Sequence, residues 1–388
     1  MNPALVLLVL ASPQELLVSD YGADTVHRFE LQTGAPLGNL GSVPGAQSLH
    51  YGPDGHLYAA AEKSRAVLRF DGASLAPLGA FVADDPLTAE DETGGLLTPT
   101  AAIFGPDGAL YVADFDGDCV KRYDGDTGQY LGDFVPSLSG GMNGPDAGMV
   151  FGPDGALYVP CWFSRDVKRF DGTSGAFLNT FIPQGTGGCD RPRTLYFRGD
   201  GSLLLTSWGT QRVLRFSETG QFLQLVASTG RPTGLVSRVG TGELLVASDQ
   251  IGVVRRYDGT LGTSLGNLVN AGGPLTGGTF LKVWPDPDLV LERPAPGQAG
   301  AVNQFVATGA TPSAAVVLGV AVTPASLQLA PGEWLGALDG VLVLLPTDSS
   351  GRAAISAPVP AALAGVTWRL QAFDPFAPRA SNLVIETV

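Results

Sequence analysis

Residues 98–135 read TPTAAIFGPDGALYVADFDGDCVKRYDGDTGQYLGDFV. Phe104-Gly105-Pro106-Asp107-Gly108 is a turn, in which proline presets φ at the first central position and the second glycine takes the positive φ that closes a hairpin. An apolar run precedes it and Leu110-Tyr111-Val112 follows it. A polar loop then leads to Val120-Lys121-Arg122-Tyr123, and Asp124-Gly125-Asp126-Thr127-Gly128 turns the chain into a fourth strand ending at Val135. Four short strands joined by tight turns make one blade of a β-propeller.

The same wording returns along the chain. The tetrad Val-x-Arg-Phe/Tyr starts at Val26, Val67, Val120, Val167, Val213 and Val254, at spacings of 41, 53, 47, 46 and 41 residues, the period of a four-stranded blade. The Pro-Asp-Gly turn recurs at 53–55 and 153–155 and decays to Gly199-Asp200-Gly201 and Gly240-Thr241-Gly242. The recurring arginine, on one strand face with the valine, has packing partners ready in aromatics and in the turn aspartates. Six copies predict an all-β, six-bladed β-propeller. Leu275 to Val283 reads as one more inner strand, which completes the first blade from the carboxyl side or, if it starts a blade of its own, raises the count to seven.

The amino terminus has two readings. Ala4 to Leu10 is apolar and Val9-Leu10-Ala11 resembles a cleavage site, but no Lys or Arg precedes it. Aligning Val9–Val26 without a gap on Ile103–Val120 makes it instead a degenerate repeat, with an export signal incomplete or missing. After Glu292 the repeat stops. The expected division is a propeller over 1–291, a Pro- and Gly-rich linker over 292–299 and, over 300–388, six or seven short strands that suggest an immunoglobulin-like β-sandwich.

Composition narrows the function. A net charge of −14 with four Lys repels a phosphate backbone, so nucleic acid is an unsuitable partner. No apolar run reaches the length of a membrane-spanning helix. Gly-x-Ser-x-Gly, Walker and His-Glu-x-x-His motifs are missing. The only histidines are His27, His50 and His56, all in the first two repeats, which argues against a histidine-rich metal site.

The repeat GPDGALYVADFDGDCVKRYDGDTGQYLGDFV resembles the NHL-type repeats of exported bacterial propellers and of the streptogramin lyase-like group. That resemblance implies an extracellular or periplasmic protein. The stretch GRAAISAPVPAALAGVTWRLQAFDP resembles carboxyl-terminal sandwich modules of secreted bacterial proteins. Streptogramin lyases use a histidine base with magnesium, and the related amidating lyases bind zinc through several histidines, so neither set is expected here. Gluconolactonase-like propellers, also similar in architecture, hold a divalent ion by carboxylates at the channel mouth. Asp20, Asp146 and Asp249 lie on that face, and Asp114, Asp116 and Asp118 are its weak metal candidates, for Ca or Mg; their glycine comes too early for an EF-hand loop and no bidentate Glu follows.

The expected ligand patch lies where loops between second and third strands meet the loops between blades. It comprises Trp162, Arg165, Arg191, Arg193, Trp208 and Arg212, an Arg and aromatic surface suited to carboxylate-bearing glycans or peptides; the tryptophans also suit wedges between blades. Cys161 and Cys189 on adjacent blades are candidates for a disulfide, and the acidic insert Asp84 to Gly95 is expected to be a mobile loop over the same rim. The function expected is an exported binding protein for a protein, peptide or glycan, without a cofactor. The alternative is a lactonase- or lyase-like enzyme with a divalent cation at the channel mouth.

Overall fold

Each repeat folds as a four-stranded antiparallel sheet, and six such sheets are present among the described residues. A computed structural model of the chain describes residues 14–284, apart from 73, 85, 86, 88–90, 199, 200 and 239–241, and beyond them strand backbones alone. Blades 2 to 6 occupy 46–82, 99–135, 150–182, 192–228 and 232–269. Blade 1 combines the two ends of the array: Gly278–Trp284 is its innermost strand, followed outwards by Glu15–Asp20, Thr25–Glu30 and Pro36–Ser42. The count is therefore six, and Leu275 to Val283 closes the first blade. The gap-free alignment at the amino terminus holds for Glu15–Asp20, which takes the place of Ala109–Asp114, whereas residues 9–13 lie outside the described residues.

The second strands are buried on both faces, which is why they read as unbroken apolar runs. Leu110 and Val112 pack towards blade 2 and Tyr111 and Ala113 towards blade 4. Every pair of neighbouring blades shares such an apolar layer. The last layer joins Leu245, Ala247 and Val254 of blade 6 to Leu16, Val18, Leu281 and Val283 of blade 1.

The conserved wording of the repeat has a local cause. Tyr111 donates to Asp107 at 3.0 Å and Arg122 donates to the same carboxylate at 2.6 Å; Tyr158, Asp154 and Arg169 repeat the arrangement. Where leucine replaces the tyrosine the partner moves to the start of the strand: beside Leu17 and Leu245, Glu15 and Glu243 receive Arg28 and Arg256, and beside Leu204 the Ser202 hydroxyl receives Arg215. The arginine is thus a packing residue that always finds a partner within its own blade. Tyr58, Tyr111 and Tyr158 also lie edge-on to Phe104, Phe151 and Phe197 of the next blade, at 4.8 to 5.1 Å.

Around the hub, the blades are tied by a circle of hydrogen bonds. The hydroxyls of Thr279, Thr100, Thr194 and Thr233 donate to the carbonyls of Ala46, Pro145, Thr233 and Gly278, at 2.7, 2.9, 2.7 and 2.5 Å. Ala102 N donates to Ser48 Oγ and Gly148 bridges Thr194. Every blade is in the circle.

Asp20 fixes the closing segment. Its carboxylate accepts the Thr276 and Gly277 amides at 2.6 and 3.2 Å and the Thr276 hydroxyl, besides the amides of Gly22 and Ala23. Burial pushes its pKa up, but His27 beside it and these donors hold it well below the usual carboxylate range.

Beyond Trp284, Val290–Leu291 pairs with Val302–Thr308, which pairs with Ala353–Pro358. Val290–Leu291 therefore belongs with these strands and not with blade 1. Ala315–Ala321 lies between Leu342–Pro346 and Thr367–Asp374. How the sheets pack, and the linker 292–299, lie outside the described residues.

A depressed carboxyl in the folded chain stabilises it above the unfolded value, near 4, and this contribution is lost as pH falls through the folded value. Denaturant unfolding from pH 7 to 3 is expected to show Asp20→Asn less stable than the unaltered chain at neutral pH, with the gap narrowing below about pH 4. A gap that stays constant over this range would contradict the assignment.

Candidate functional site

The second residues of the innermost strands, and in blade 4 Asp146 just after the Pro145 bridge, gather at one mouth of the hub. In blades 1, 3 and 6 they are Thr279, Thr100 and Thr233, all engaged in the circle between blades. In blades 2, 4 and 5 they are Gln47, Asp146 and Arg193. Blades 2 and 5 stand opposite each other in a six-membered ring, and Arg193 spans it: its Nη2 donates to Gln47 Oε1 at 3.1 Å, and its Nε lies 3.2 Å from Asp146 Oδ2. Gln47 Nε2 donates in turn to Glu62 Oε2 at 2.6 Å. Burial pushes both acids up, with Arg193 pulling each back. The mouth is closed by a polar bridge with a guanidinium at its centre.

A second layer surrounds this bridge. Trp162 and Trp208, from the loops between second and third strands of blades 4 and 5, lie 4.9 Å apart and half-buried. Arg191 sits 5.4 Å from one ring and 5.5 Å from the other; Arg193 lies 5.7 Å from Trp162, and Arg231 4.9 Å from Trp208. Trp208 Nε1 donates to Asp249 at 2.7 Å. The indoles are thus both contacts between neighbouring blades and platforms for three guanidiniums. Among the described residues, neither Arg191 nor Arg231 has a carboxylate in ion-pair range. Their guanidiniums lie against ring faces and are not paired with acids.

Arg191 and Arg231 share a backbone peculiarity. Each precedes a proline and has positive φ, 51° and 38°, a conformation that bulky residues avoid. Strain of this kind costs roughly 1–3 kcal/mol and clusters at functional sites.

The structure thus brings together Trp162, Trp208, Arg191 and Arg193 of the expected patch. Arg165 stands beside them with its Nε 3.6 Å from Asp190. Arg212 does not join the cluster and lines a groove further out. Sequence reading missed Gln47, Glu62 and Arg231. The signal for Arg231 was present: Arg-Pro opens the inner strand in both Arg191-Pro192 and Arg231-Pro232.

The weak metal candidates serve as loop staples. Asp114 accepts the Leu97, Thr98 and Gly117 amides, Asp116 the Thr98 hydroxyl and Asp118 the Gly144 amide. Among the described residues, no group of three or more His, Cys, Asp or Glu is placed to hold a metal ion. The expected bridge between Cys161 and Cys189 is not formed, and all three cysteines are free and buried. Cys161 packs in the layer between blades 3 and 4 and Cys189 in that between blades 4 and 5, so the sheet of blade 4 separates them. Burial pushes the Cys161 thiol up to about 12 and that of Cys189 up as well, which suppresses thiolate chemistry. The described end of the acidic insert is pinned against blade 3, with Lys121 donating to Gly94 O at 2.7 Å and Tyr123 to Thr93 O at 2.9 Å.

The architecture matches that of solved propellers. A protein of unknown function from Bacteroides caccae aligns at 14% identity and a TM-score of 0.53, over 70% of this chain and 99% of that one. The likeness is one of fold. A streptogramin B lyase aligns at 14% and 0.49, over 75% of this chain and 86% of its own, and virginiamycin B lyase from Staphylococcus aureus at 15% and 0.46, over 63% and 78%. No protein-family model and no curated protein matches the chain. No helix of the described residues is long and apolar enough to cross a membrane.

Breaking a buried ion pair by removing one partner costs roughly 3–5 kcal/mol. Arg193→Ala is expected to lower denaturant stability by about that amount, and the double variant with Asp146→Ala to recover a large part of it. Additive losses in this cycle would show that the two side chains do not act as a pair.

Proposed function

We propose that the chain is an exported binding protein, extracellular or periplasmic, whose hub-mouth face takes a carboxylate-bearing ligand. The observation that carries this reading is the pair Arg191 and Arg231, held against Trp162 and Trp208 with no acid in ion-pair range. A guanidinium on an aromatic face keeps its planar fork of donors for a carboxylate. In a chain of net charge −14, where the repeat arginines Arg28, Arg122, Arg169 and Arg256 are each paired with an acid of their own blade, leaving these two unneutralised and strained has a purpose if an anion arrives from outside. Protein, peptide and glycan ligands all carry such groups.

The lactonase- or lyase-like alternative has less support, because Asp114, Asp116 and Asp118 are occupied by backbone and hydroxyl donors and Asp146 is covered by Arg193. The proposal extends to domain organisation: the propeller ends with Gly278–Trp284, and residues 300–388 form an immunoglobulin-like β-sandwich that serves as spacer or anchor.

Arrays of glycans and peptides probed with the full chain are expected to yield ligands bearing carboxylates. A charge-assisted hydrogen bond is worth about 1.5–3 kcal/mol, so Arg191→Ala and Arg231→Ala should each weaken binding at least about tenfold. Variants that bind every array hit as the unaltered chain does would overturn the assignment of this face.

A further inference from the structure

An open surface groove of about 650 Å³ lies between the outer halves of blades 5 and 6. Arg212, Arg255, Ser228, Thr229, Ser264 and Asn267 line it, and its lining includes no Asp or Glu, in a chain with 37 of them. Arg255 donates to the Thr229 hydroxyl. Among the described residues neither guanidinium has a carboxylate in ion-pair range, so two like charges face one groove uncompensated.

The position of this groove ties it to the hub mouth. Its lining includes Gly209 and Gly230, the chain neighbours of Trp208 and Arg231. It therefore continues radially outwards from the arginine and tryptophan rim, and a ligand leaving Arg191 and Arg231 along this line next meets Arg212 and Arg255. Four guanidiniums free of acids thus lie in the rim and in the groove that begins one residue from Trp208 and Arg231.

We infer that this groove is an extension subsite and that the ligand is an oligomer of an acidic sugar with a carboxylate on successive units. The inference rests on the hub-mouth reading above and names its ligand class. Spaced cations demand spaced anions, which a single small acid does not supply. Hydroxyl and amide side chains between them match the hydroxyls of a sugar ring, whereas an acidic peptide would call for apolar side-pockets that this lining lacks.

Calorimetric titration of the full chain with galacturonic acid and its trimer and hexamer tests the length requirement, with maltohexaose and hexaglutamate as controls. The hexamer is expected to bind at least tenfold more tightly than the monomer, maltohexaose and hexaglutamate far more weakly. Arg212→Ala and Arg255→Ala should each remove most of the gain from monomer to hexamer. Equal affinity for monomer and hexamer, or a gain that survives both substitutions, overturns the extension subsite while leaving the hub mouth standing. Failure of the monomer and the oligomers alike to bind overturns both, and tighter binding of hexaglutamate than of the hexamer overturns the sugar in favour of an acidic peptide.

Discussion

A four-stranded sheet with apolar residues on both faces cannot shield itself, and this one constraint organises the molecule. Each blade leaves Leu, Val and Tyr side chains on two sides, every one worth roughly 1.5–3 kcal/mol when buried, and only a neighbour on each side removes them from water. The array has ends, so the two ends must find each other. Gly278–Trp284 lies against Glu15–Asp20 for this reason, and Asp20 collects the backbone of Thr276 and Gly277 at the junction.

Closure also makes the site. Once six inner strands converge, the residues at their entrances share one mouth, and residues far apart in sequence become neighbours. Threonine suits this position in three blades because its hydroxyl ties one blade to the next. Where the sequence departs to Gln47, Asp146 and Arg193, the mouth is bridged from blade 5 to blade 2, across 146 residues of chain. That bridge gives the rim a rigid floor, on which Arg191 and Arg231 are held by indoles and a strained backbone and not by acids. Arg191 and Arg231 are thus cationic donors without counterions in a protein of net charge −14.

Sequence reading reached the blades because their physics is local. A Pro-Asp-Gly turn, a doubly buried strand and an arginine answered by an acid are all written within a single repeat; even the shift from Asp107 to Glu15 and Glu243 is visible once the tyrosine changes to leucine. The closing strand was legible from its place after the last repeat. The site was legible only in part. Trp162, Trp208, Arg191 and Arg193 stand out as unusual loop residues, but Gln47 and Glu62 gain meaning only when blade 2 faces blade 5. Arg212 looked like part of the patch because it lies four residues after Trp208, whereas the turn carries it outwards. The expected disulfide failed because Cys161 and Cys189 sit on adjacent blades and yet on opposite sides of one sheet, a distinction that linear spacing does not contain.

Hydrogen exchange on the full chain carrying Leu281→Asp tests the ring most directly. Leu281 is buried opposite Val18 in the layer that joins the last blade to the first, and an unpaired carboxylate there opposes closure. If the ring stands or falls as one, slowly exchanging amides in blades 3 and 4, on the far side of the hub, lose protection together with those of blades 1 and 6. Full protection of blades 3 and 4 beside an unprotected seam would contradict it, because each blade would then be stable without a closed circle.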